Sequence, residues 1–168
     1  ITVSGGEPLL QAAFAAEVLA ALQAAGGHTA VETSGYAAPE VFRRVAGHAD
    51  LVLFDVKHAD PVQHRRWTGV DNAPILRNLA WLCTSGRPFV VRIPLIPGVN
   101  DTRENMLQTC LLIEDAPGLE RVEILRYHKT AGAKYAMIGR TYAPGFDTGA
   151  EPRVHDVFSD YNLKTLIQ

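Results

Sequence analysis

Asp55 and Lys57 stand two positions apart at the end of an apolar run. On a β-strand, side chains two positions apart point to the same face, so this carboxylate and this ammonium are predicted to face one space. Buried-facing charges are costly unless they are paired or used for binding or catalysis. The pair therefore indicates either a site for a charged ligand or a structural ion pair at the mouth of a strand.

A second candidate site is the loop Ser4-Gly5-Gly6-Glu7-Pro8, which follows another short apolar run. Paired glycines let main-chain N–H and C=O groups approach a ligand closely, and a helix that begins just beyond the loop contributes its positive end. Such a loop suits a charged small molecule. The alternative is a tight turn that needs glycine for its backbone conformation and binds nothing.

Three further apolar runs carry hydrogen-bonding or ionisable groups at or near their ends: Glu32-Thr33-Ser34-Gly35, Arg92 and Tyr127-His128. Arg92 could instead point outward from a half-exposed strand, and His128 could be an ordinary loop histidine bonded to the main chain. The other five histidines show no metal-ligand spacing.

The elements that must position these groups are short β-branched runs that alternate with segments of helical period. This alternation predicts βα units and a parallel α/β sheet. Strands are predicted at 1–3, 29–33, 51–56, 89–93 and 122–125. In parallel α/β folds, sites form where the carboxyl ends of the strands meet, so the candidate groups are predicted to share one rim. Five βα units are more than half of a barrel and less than a whole one.

The helices are predicted at 9–25, 39–46, 60–67 and 74–84, with a last one after Pro97-Gly98. In the first, Leu10, Phe14, Val18 and Leu22 recur every fourth residue and are expected to face the core. The last helix is expected to be capped by Asn100 or Asp101 with Glu104 as the capping-box partner, and to turn Leu107, Cys110 and Leu111 to one side.

No linker or repeat divides the chain, so one domain over 1–168 is predicted, with a tail from about 131 that packs over the sheet. The sequence has 168 residues, of which 47% are hydrophobic and 20% charged, and its net charge is −2. This composition is typical of a globular protein and gives no basic surface for nucleic acid or an anionic membrane. No apolar stretch approaches the roughly 20 residues of a transmembrane helix.

The two cysteines, Cys83 and Cys110, lie far apart in apolar, helix-like stretches. They are predicted to be reduced, buried thiols of a cytoplasmic protein. The chain opens at Ile1, without a methionine, directly in an apolar strand. We therefore expect the later part of a longer protein, with an edge at 1–3 that invites pairing with another copy of the chain.

Taken in order, several motifs together resemble the activating enzymes of glycyl-radical enzymes, of which the activator of pyruvate formate-lyase is the type case, within the radical S-adenosylmethionine superfamily. The motifs are Ser4-Gly5-Gly6-Glu7-Pro8-Leu9-Leu10-Gln11, Glu32-Thr33-Ser34-Gly35-Tyr36, Asp55-Val56-Lys57, Thr68-Gly69-Val70, Arg92 through Asp101 (RIPLIPGVND) and Tyr127-His128. The resemblance runs from Ile1 to about Tyr142.

This resemblance implies a partial parallel (β/α) barrel of the TIM-like radical SAM type. It also implies a reduced [4Fe-4S] cluster that cleaves S-adenosylmethionine into methionine and a 5′-deoxyadenosyl radical. The radical abstracts hydrogen from a glycine of the partner, a glycyl-radical enzyme such as pyruvate formate-lyase. Reduced flavodoxin or ferredoxin is the implied electron donor.

The resemblance also implies roles for individual residues. Gly5, Gly6 and Glu7 are expected to receive the amino group of the methionine moiety. The remaining positions are expected to line the ligand or its surroundings: Asp55, Val56 and Lys57 along S-adenosylmethionine, Lys57 near its carboxylate with Arg92 close by, His128 at the nucleoside end, and Glu32, Thr33 and Asp55 around a monovalent cation.

The CxxxCxxC motif that holds the superfamily's cluster does not occur in this sequence. The barrel's first strand and its cluster loop are therefore expected to be missing, and the cluster is assigned to the full-length protein only. The chain as given is expected to bind no cluster and to perform no radical step.

Two other functions remain open at the level of the sequence. A Schiff-base aldolase could use Lys57 as its nucleophile if the surroundings lowered the pKa of the amine, although a neighbouring carboxylate such as Asp55 favours the charged form. A non-catalytic ligand-binding domain would need no cluster.

Overall fold

A computed structural model describes residues 1–127, 135, 137, 139 and 141–168. Its centre is a six-stranded parallel sheet whose spatial order follows the order of the chain. The strands are β1 Thr2–Val3, β2 Ala30–Thr33, β3 Leu51–Asp55, β4 Phe89–Leu95, β5 Leu119–Arg126 and β6 Thr165–Ile167. Because β1 and β6 are the two edges, the sheet is open, which confirms the predicted partial parallel barrel.

The helices lie in the crossovers between consecutive strands, as βα units require. They are α1 Ala12–Ala24, α2 Pro39–Gly47, α3 Pro61–Thr68, α4 Ala73–Ser85 and α5 Arg103–Ile113. The residues at their ends favour these boundaries: Pro39 stands in the first turn of α2, Asp60 caps α3 by accepting from Gln63 N at 2.7 Å, and Gly86 ends α4 in the left-handed conformation.

The core lies between the sheet and the helix layer. In β4, Phe89, Val91, Ile93 and Leu95 are at most 1% exposed and belong to this core, whereas Arg92 and Pro94 alternate with them and stay partly exposed. The helices α1 and α2, α2 and α4, and α4 and α5 contact one another. One face of the sheet therefore packs against helices, and the opposite face carries the ionisable residues.

The predicted inward stripe of α1 is wrong. Leu10 and Phe14 are 83% and 65% exposed, and the buried residues are Ala15, Ala16 and Leu19. Leu10 lies in a 3-10 turn, Pro8–Gln11, that precedes the helix and has a different angular step. Residues repeated every fourth position also drift around an α-helix of 3.6 residues per turn, so they do not hold one face.

The predicted start of α5 also needs correction. The N-cap is Thr102, whose hydroxyl accepts from Asn105 N at 3.2 Å, and not Asn100 or Asp101, whose side chains bond elsewhere. Glu104 consequently falls one position short of the capping-box site. Met106, Cys110 and Ile113 face the core, while Leu111 is 53% exposed.

The sequence places the last two strands less accurately than the others. β5 begins at Leu119, before the predicted start at position 122. β6 pairs with β5 and adds a sixth strand at the edge of the sheet. Val157 and Phe158 of the tail are buried in the core, and Arg153 N donates to Asp101 Oδ2 at 2.9 Å. None of the helices in the described residues is long and apolar enough to cross a membrane.

Candidate functional site

A cavity of about 320 Å³ opens where β1, β2 and β3 end. Most of the polar residues that the sequence singled out at these three strand ends line it: Ser4, Gly5, Gly6, Glu7, Glu32, Thr33, Ser34, Asp55 and Lys57. The carboxyl ends of three neighbouring parallel strands thus place carboxylates, hydroxyls and an ammonium around one space.

The loop after β1 owes its shape to its two glycines. Gly5 has φ +90° and Gly6 has φ +55°, conformations that L side chains rarely adopt, and no atom lies within 4 Å of where a Cβ would stand on either residue. The backbone conformation, and not a lack of space, therefore requires glycine here. The open space leaves the main-chain groups of the loop accessible from the cavity.

The Glu7 side chain does not hang free in the cavity. Its carboxylate accepts hydrogen bonds from Thr33 Oγ1 at 2.6 Å, from Ser34 Oγ at 2.6 Å and from two main-chain amides, those of Ser34 and Leu9. On the other side of the glycines, Ser4 Oγ donates to Glu32 Oε2 at 2.7 Å. The glycine loop, residues 4–7, is thus bound at both ends to the end of β2.

Asp55 and Lys57 form the predicted pair, with 3.2 Å between Asp55 Oδ2 and Lys57 Nζ. Burial raises the pKa of the Asp55 carboxyl, and the positive charges of Lys57 and Arg92 oppose that shift. Its second oxygen, Oδ1, is buried and has no hydrogen-bond partner among the described residues. An unsatisfied buried carboxylate oxygen is suited to a ligand that brings a hydrogen-bond donor, above all a cationic one.

Arg92 lies between two carboxylates on the face of the sheet opposite the helix layer. Its Nη1 is 2.6 Å from Glu32 Oε1, and its Nε is 3.4 Å from Glu123 Oε2. Asp55, Arg92 and Glu123 are also in register on β3, β4 and β5. Since the Arg92 side chain is only 18% exposed, the alternative of an outward arginine on a half-exposed strand does not hold.

The remaining predicted site residues are placed differently. Val56 is 2% exposed and packs in the core, so only its main chain can face the cavity. The Thr33 hydroxyl donates to Glu7 and accepts from Gly35 N at 3.0 Å, so its oxygen has little capacity left to bind a cation. His128 falls outside the described residues.

Three buried asparagines that the sequence did not mark as site residues hold the segment that follows β3. Asn100 Nδ2 donates to Lys57 O at 2.8 Å, Asn105 Oδ1 accepts from Ala59 N at 2.9 Å, and Asn72 Nδ2 donates to Ala59 O at 2.8 Å. Each is at most 2% exposed. Asn100 belongs to the RIPLIPGVND motif, whereas Asn72 and Asn105 stand beside charged residues and carry no signal of burial in the sequence.

The cysteines of this chain do not fit an iron–sulfur cluster. Such a cluster is held by three or four thiolates, whereas Cys83 and Cys110 lie on α4 and α5 in the helix layer. Burial raises the pKa of each thiol to about 11, so both stay protonated. Cys110 is buried as predicted, but Cys83 is partly exposed. Within the described residues, no group of three or more His, Cys, Asp or Glu could hold a metal ion.

Comparisons with known proteins agree on one family. A family model described as the Radical SAM superfamily matches residues 1–110. The choline trimethylamine-lyase activating enzyme of Oleidesulfovibrio alaskensis is 39% identical over 145 residues, which cover 84% of this chain and 47% of that protein. The pyruvate formate-lyase-activating enzyme of Staphylococcus epidermidis is 34% identical over 148 residues, covering 84% and 59%.

A solved structure has the same extent as this chain. A domain of pyruvate-formate lyase-activating enzyme from Bacteroides vulgatus superposes with a TM-score of 0.79 at 29% identity, covering 100% of this chain and 98% of that one. By contrast, the chain spans about half the length of the curated relatives that it matches.

Proposed function

The chain belongs to the radical SAM superfamily, and on that premise we propose that it is the S-adenosylmethionine-binding core of an enzyme that generates a glycyl radical on a partner enzyme. The relatives support the reaction, since they include activating enzymes of choline trimethylamine-lyase, 4-hydroxyphenylacetate decarboxylase and pyruvate formate-lyase. The observation that carries the proposal for this chain is the cavity that joins the glycine loop to Asp55 and Lys57.

The proposed ligand has an ammonium and a carboxylate on one carbon, and the cavity offers groups for both. Asp55 Oδ1, which has no partner among the described residues, accepts from the ammonium together with main-chain groups of Gly5 and Gly6. Lys57 Nζ supplies positive charge for the carboxylate, and Arg92 is paired with Glu32, which lines the same cavity. His128 stays assigned to the nucleoside end by resemblance.

In the superfamily a reduced [4Fe-4S] cluster supplies the electron that cleaves S-adenosylmethionine. The two protonated thiols of the helix layer do not fit such a cluster, so the described residues do not take part in the cleavage step. The role of these residues is to bind and orient the ligand at the strand ends.

Glu32 and Asp55 are the carboxylates proposed to hold a monovalent cation beside the ligand. Both line the cavity. Glu32 is bonded to Arg92 and Ser4 in this structure, so a cation there competes with the Arg92 guanidinium. Thr33 contributes its main-chain oxygen in this proposal, because its hydroxyl is already bonded on both sides.

The proposed partners follow the same reasoning. The names of the relatives indicate a glycyl-radical enzyme as the macromolecular substrate. The family resemblance indicates reduced flavodoxin or ferredoxin as the electron donor.

A cytoplasmic location accords with two free thiols in a chain without a disulfide. The aldolase alternative is disfavoured because the Lys57 amine is held in an ion pair, with 3.2 Å between its Nζ and Asp55 Oδ2, and is not a free nucleophile.

Calorimetric titration of the 168-residue chain with S-adenosylmethionine tests the proposal. We expect weak binding, since the cluster that normally chelates the ligand's amino and carboxylate groups is not held here, and a further loss of about tenfold in Asp55→Ala. Asp115→Ala, an exposed aspartate that follows α5, is the matched control and should bind like the wild type. Absence of binding at millimolar ligand, or binding unchanged in Asp55→Ala, would contradict the proposal.

A further inference from the structure

The two ends of the glycine loop are fixed to β2 by reciprocal hydrogen bonds. At one end, Ser4 donates from the loop to Glu32 of β2. At the other end, the direction reverses, and Thr33 and Ser34 donate from the end of β2 to Glu7 of the loop. Gly5 and Gly6 lie between these two attachments, so the course of their main chain is set from both sides.

The Glu7 carboxylate has little capacity left for a ligand. Oε1 accepts from Thr33 Oγ1 at 2.6 Å and from Leu9 N at 3.2 Å, while Oε2 accepts from Ser34 Oγ at 2.6 Å and Ser34 N at 3.0 Å. A carboxylate has about four lone-pair sites, and all four are directed at donors of the protein. A ligand ammonium could reach either oxygen only by displacing one of these bonds.

The neighbouring carboxylate differs in this respect. Asp55 lines the same cavity and has one oxygen, Oδ1, without a partner among the described residues. Asp55 therefore has an acceptor available for a cation, whereas the acceptors of Glu7 are used within the protein, three of them to join the glycine loop to the end of β2. This difference in hydrogen bonding indicates that Asp55 can contact a ligand, whereas Glu7 supports the loop.

We propose that Glu7 is a positioning residue that fixes Gly5 and Gly6 on the end of β2, and that it does not contact the ligand itself. The inference rests on the proposed function, because the ligand is taken to be S-adenosylmethionine. Ser34 belongs to the same device, since it supplies two of the four donors to Glu7. Loss of the Ser34 hydroxyl or of the Glu7 carboxylate weakens the same attachment.

The test uses Glu7→Gln, Ser34→Ala and the double variant of the 168-residue chain. Glu17→Gln, which makes the same chemical change on an exposed position of α1, is the control. Without ligand, the amide NMR resonances of Gly5 and Gly6 should shift in Glu7→Gln and Ser34→Ala and stay in place in Glu17→Gln. This readout requires no S-adenosylmethionine binding, so it tests the loop attachment even where the proposed function fails.

With S-adenosylmethionine, the dissociation constant should rise about tenfold in each single variant, because Glu7→Gln removes the negative charge of the attachment and Ser34→Ala removes the hydroxyl that donates to it at 2.6 Å. The double variant should bind no more than about twofold worse than either single one, since both substitutions act on one attachment. Weakened binding in Glu7→Gln alone would identify Glu7 as a ligand contact and overturn the inference. The inference would also be overturned if the double variant raised the dissociation constant by the product of the two single effects, or if the Gly5 and Gly6 resonances did not shift without ligand.

Discussion

Asn100 donates a side-chain hydrogen bond of 2.8 Å to the main-chain oxygen of Lys57, 43 positions away in the sequence. A second hydrogen bond of the same amide, to Pro94 O, joins the ends of β3 and β4. The asparagine side chain thereby sets the direction in which the chain leaves β3, and with it the placement of Lys57 beside Asp55.

We expect Asn100→Ala to lower the free energy of unfolding by about 1–3 kcal/mol, because it removes the partner of buried main-chain groups. Asn78→Ala is the matched control, since Asn78 is equally buried and donates to Gly35 O and Ala37 O. Urea unfolding should show a loss in both, whereas only Asn100→Ala should move the side-chain NMR resonances of Lys57. Unmoved Lys57 resonances would show that Asn100 has no positioning role.

Asp55→Asn should stabilise the protein at neutral pH. Burial raises the pKa of Asp55 in the folded state above its ordinary value of 3.8. The folded state therefore holds this proton more tightly than the unfolded state, so the contribution of Asp55 to stability falls as the pH rises from 3.8 through the folded-state pKa. The increase in the free energy of unfolding of Asp55→Asn over the wild type, measured by urea unfolding, should vanish below pH 3.8. A gain that persists in acid would contradict this reading.

Replacing Gly6 separates backbone strain from crowding. With φ +55° and open space around the missing Cβ, Gly6→Ala should cost about 1–2 kcal/mol from its left-handed conformation alone. Gly6→Asn should cost less, because asparagine tolerates that conformation better. Thermal unfolding of both variants provides the comparison. Equal losses would mean that contacts, and not the backbone conformation, require glycine at this position.

The two thiols should react slowly with iodoacetamide in the folded protein. Burial raises the pKa of Cys83 and of Cys110 to about 11, and only the thiolate is an effective nucleophile. Mass spectrometry at pH 8 should show Cys110, which is 0% exposed, labelled only after unfolding in urea. Labelling of folded Cys110 at the rate of a small-molecule thiol would show that this thiol is accessible to solvent in the folded protein.

Lys57 should form no covalent adduct when the chain is treated with borohydride and a carbonyl compound such as pyruvate. The Lys57 amine is held in an ion pair with the Asp55 carboxylate, 3.2 Å away, and is not free to attack a carbonyl carbon. Intact-mass spectrometry provides the readout, and the Lys57→Arg variant identifies any labelling of other lysines. An adduct that is lost in Lys57→Arg would favour an aldolase.

The location of the candidate site could be predicted from the sequence because it depends on local rules. The predicted strands follow apolar runs, and alternation along a strand predicts that Asp55 and Lys57 face one side. β3 ends at Asp55, so Lys57 lies beyond the strand, and the two side chains meet there as an ion pair with 3.2 Å between Nζ and Oδ2. Parallel βα units then bring the ends of β1, β2 and β3 to one rim, which is where the structure has its polar cavity.

The partners of these side chains could not be predicted in the same way. Glu7 bonds to Thr33 and Asn100 to Lys57 across 26 and 43 positions, distances at which the contact depends on strand register and loop course. The prediction of which residues of α1 face the core was wrong for a related reason. The short turn Pro8–Gln11 alters the angle at which Leu10 leaves the chain, and the sequence pattern does not show that turn.

Amide chemical-shift mapping during a titration tests most directly whether the ends of β1, β2 and β3 form one binding site for S-adenosylmethionine. We expect the largest shifts on Gly5, Gly6, Asp55 and Lys57, and none at Cys83 or Leu111 in the helix layer. Shifts concentrated on the other side of the sheet, or around the cavity lined by Asp101, Arg153 and His155, would contradict it.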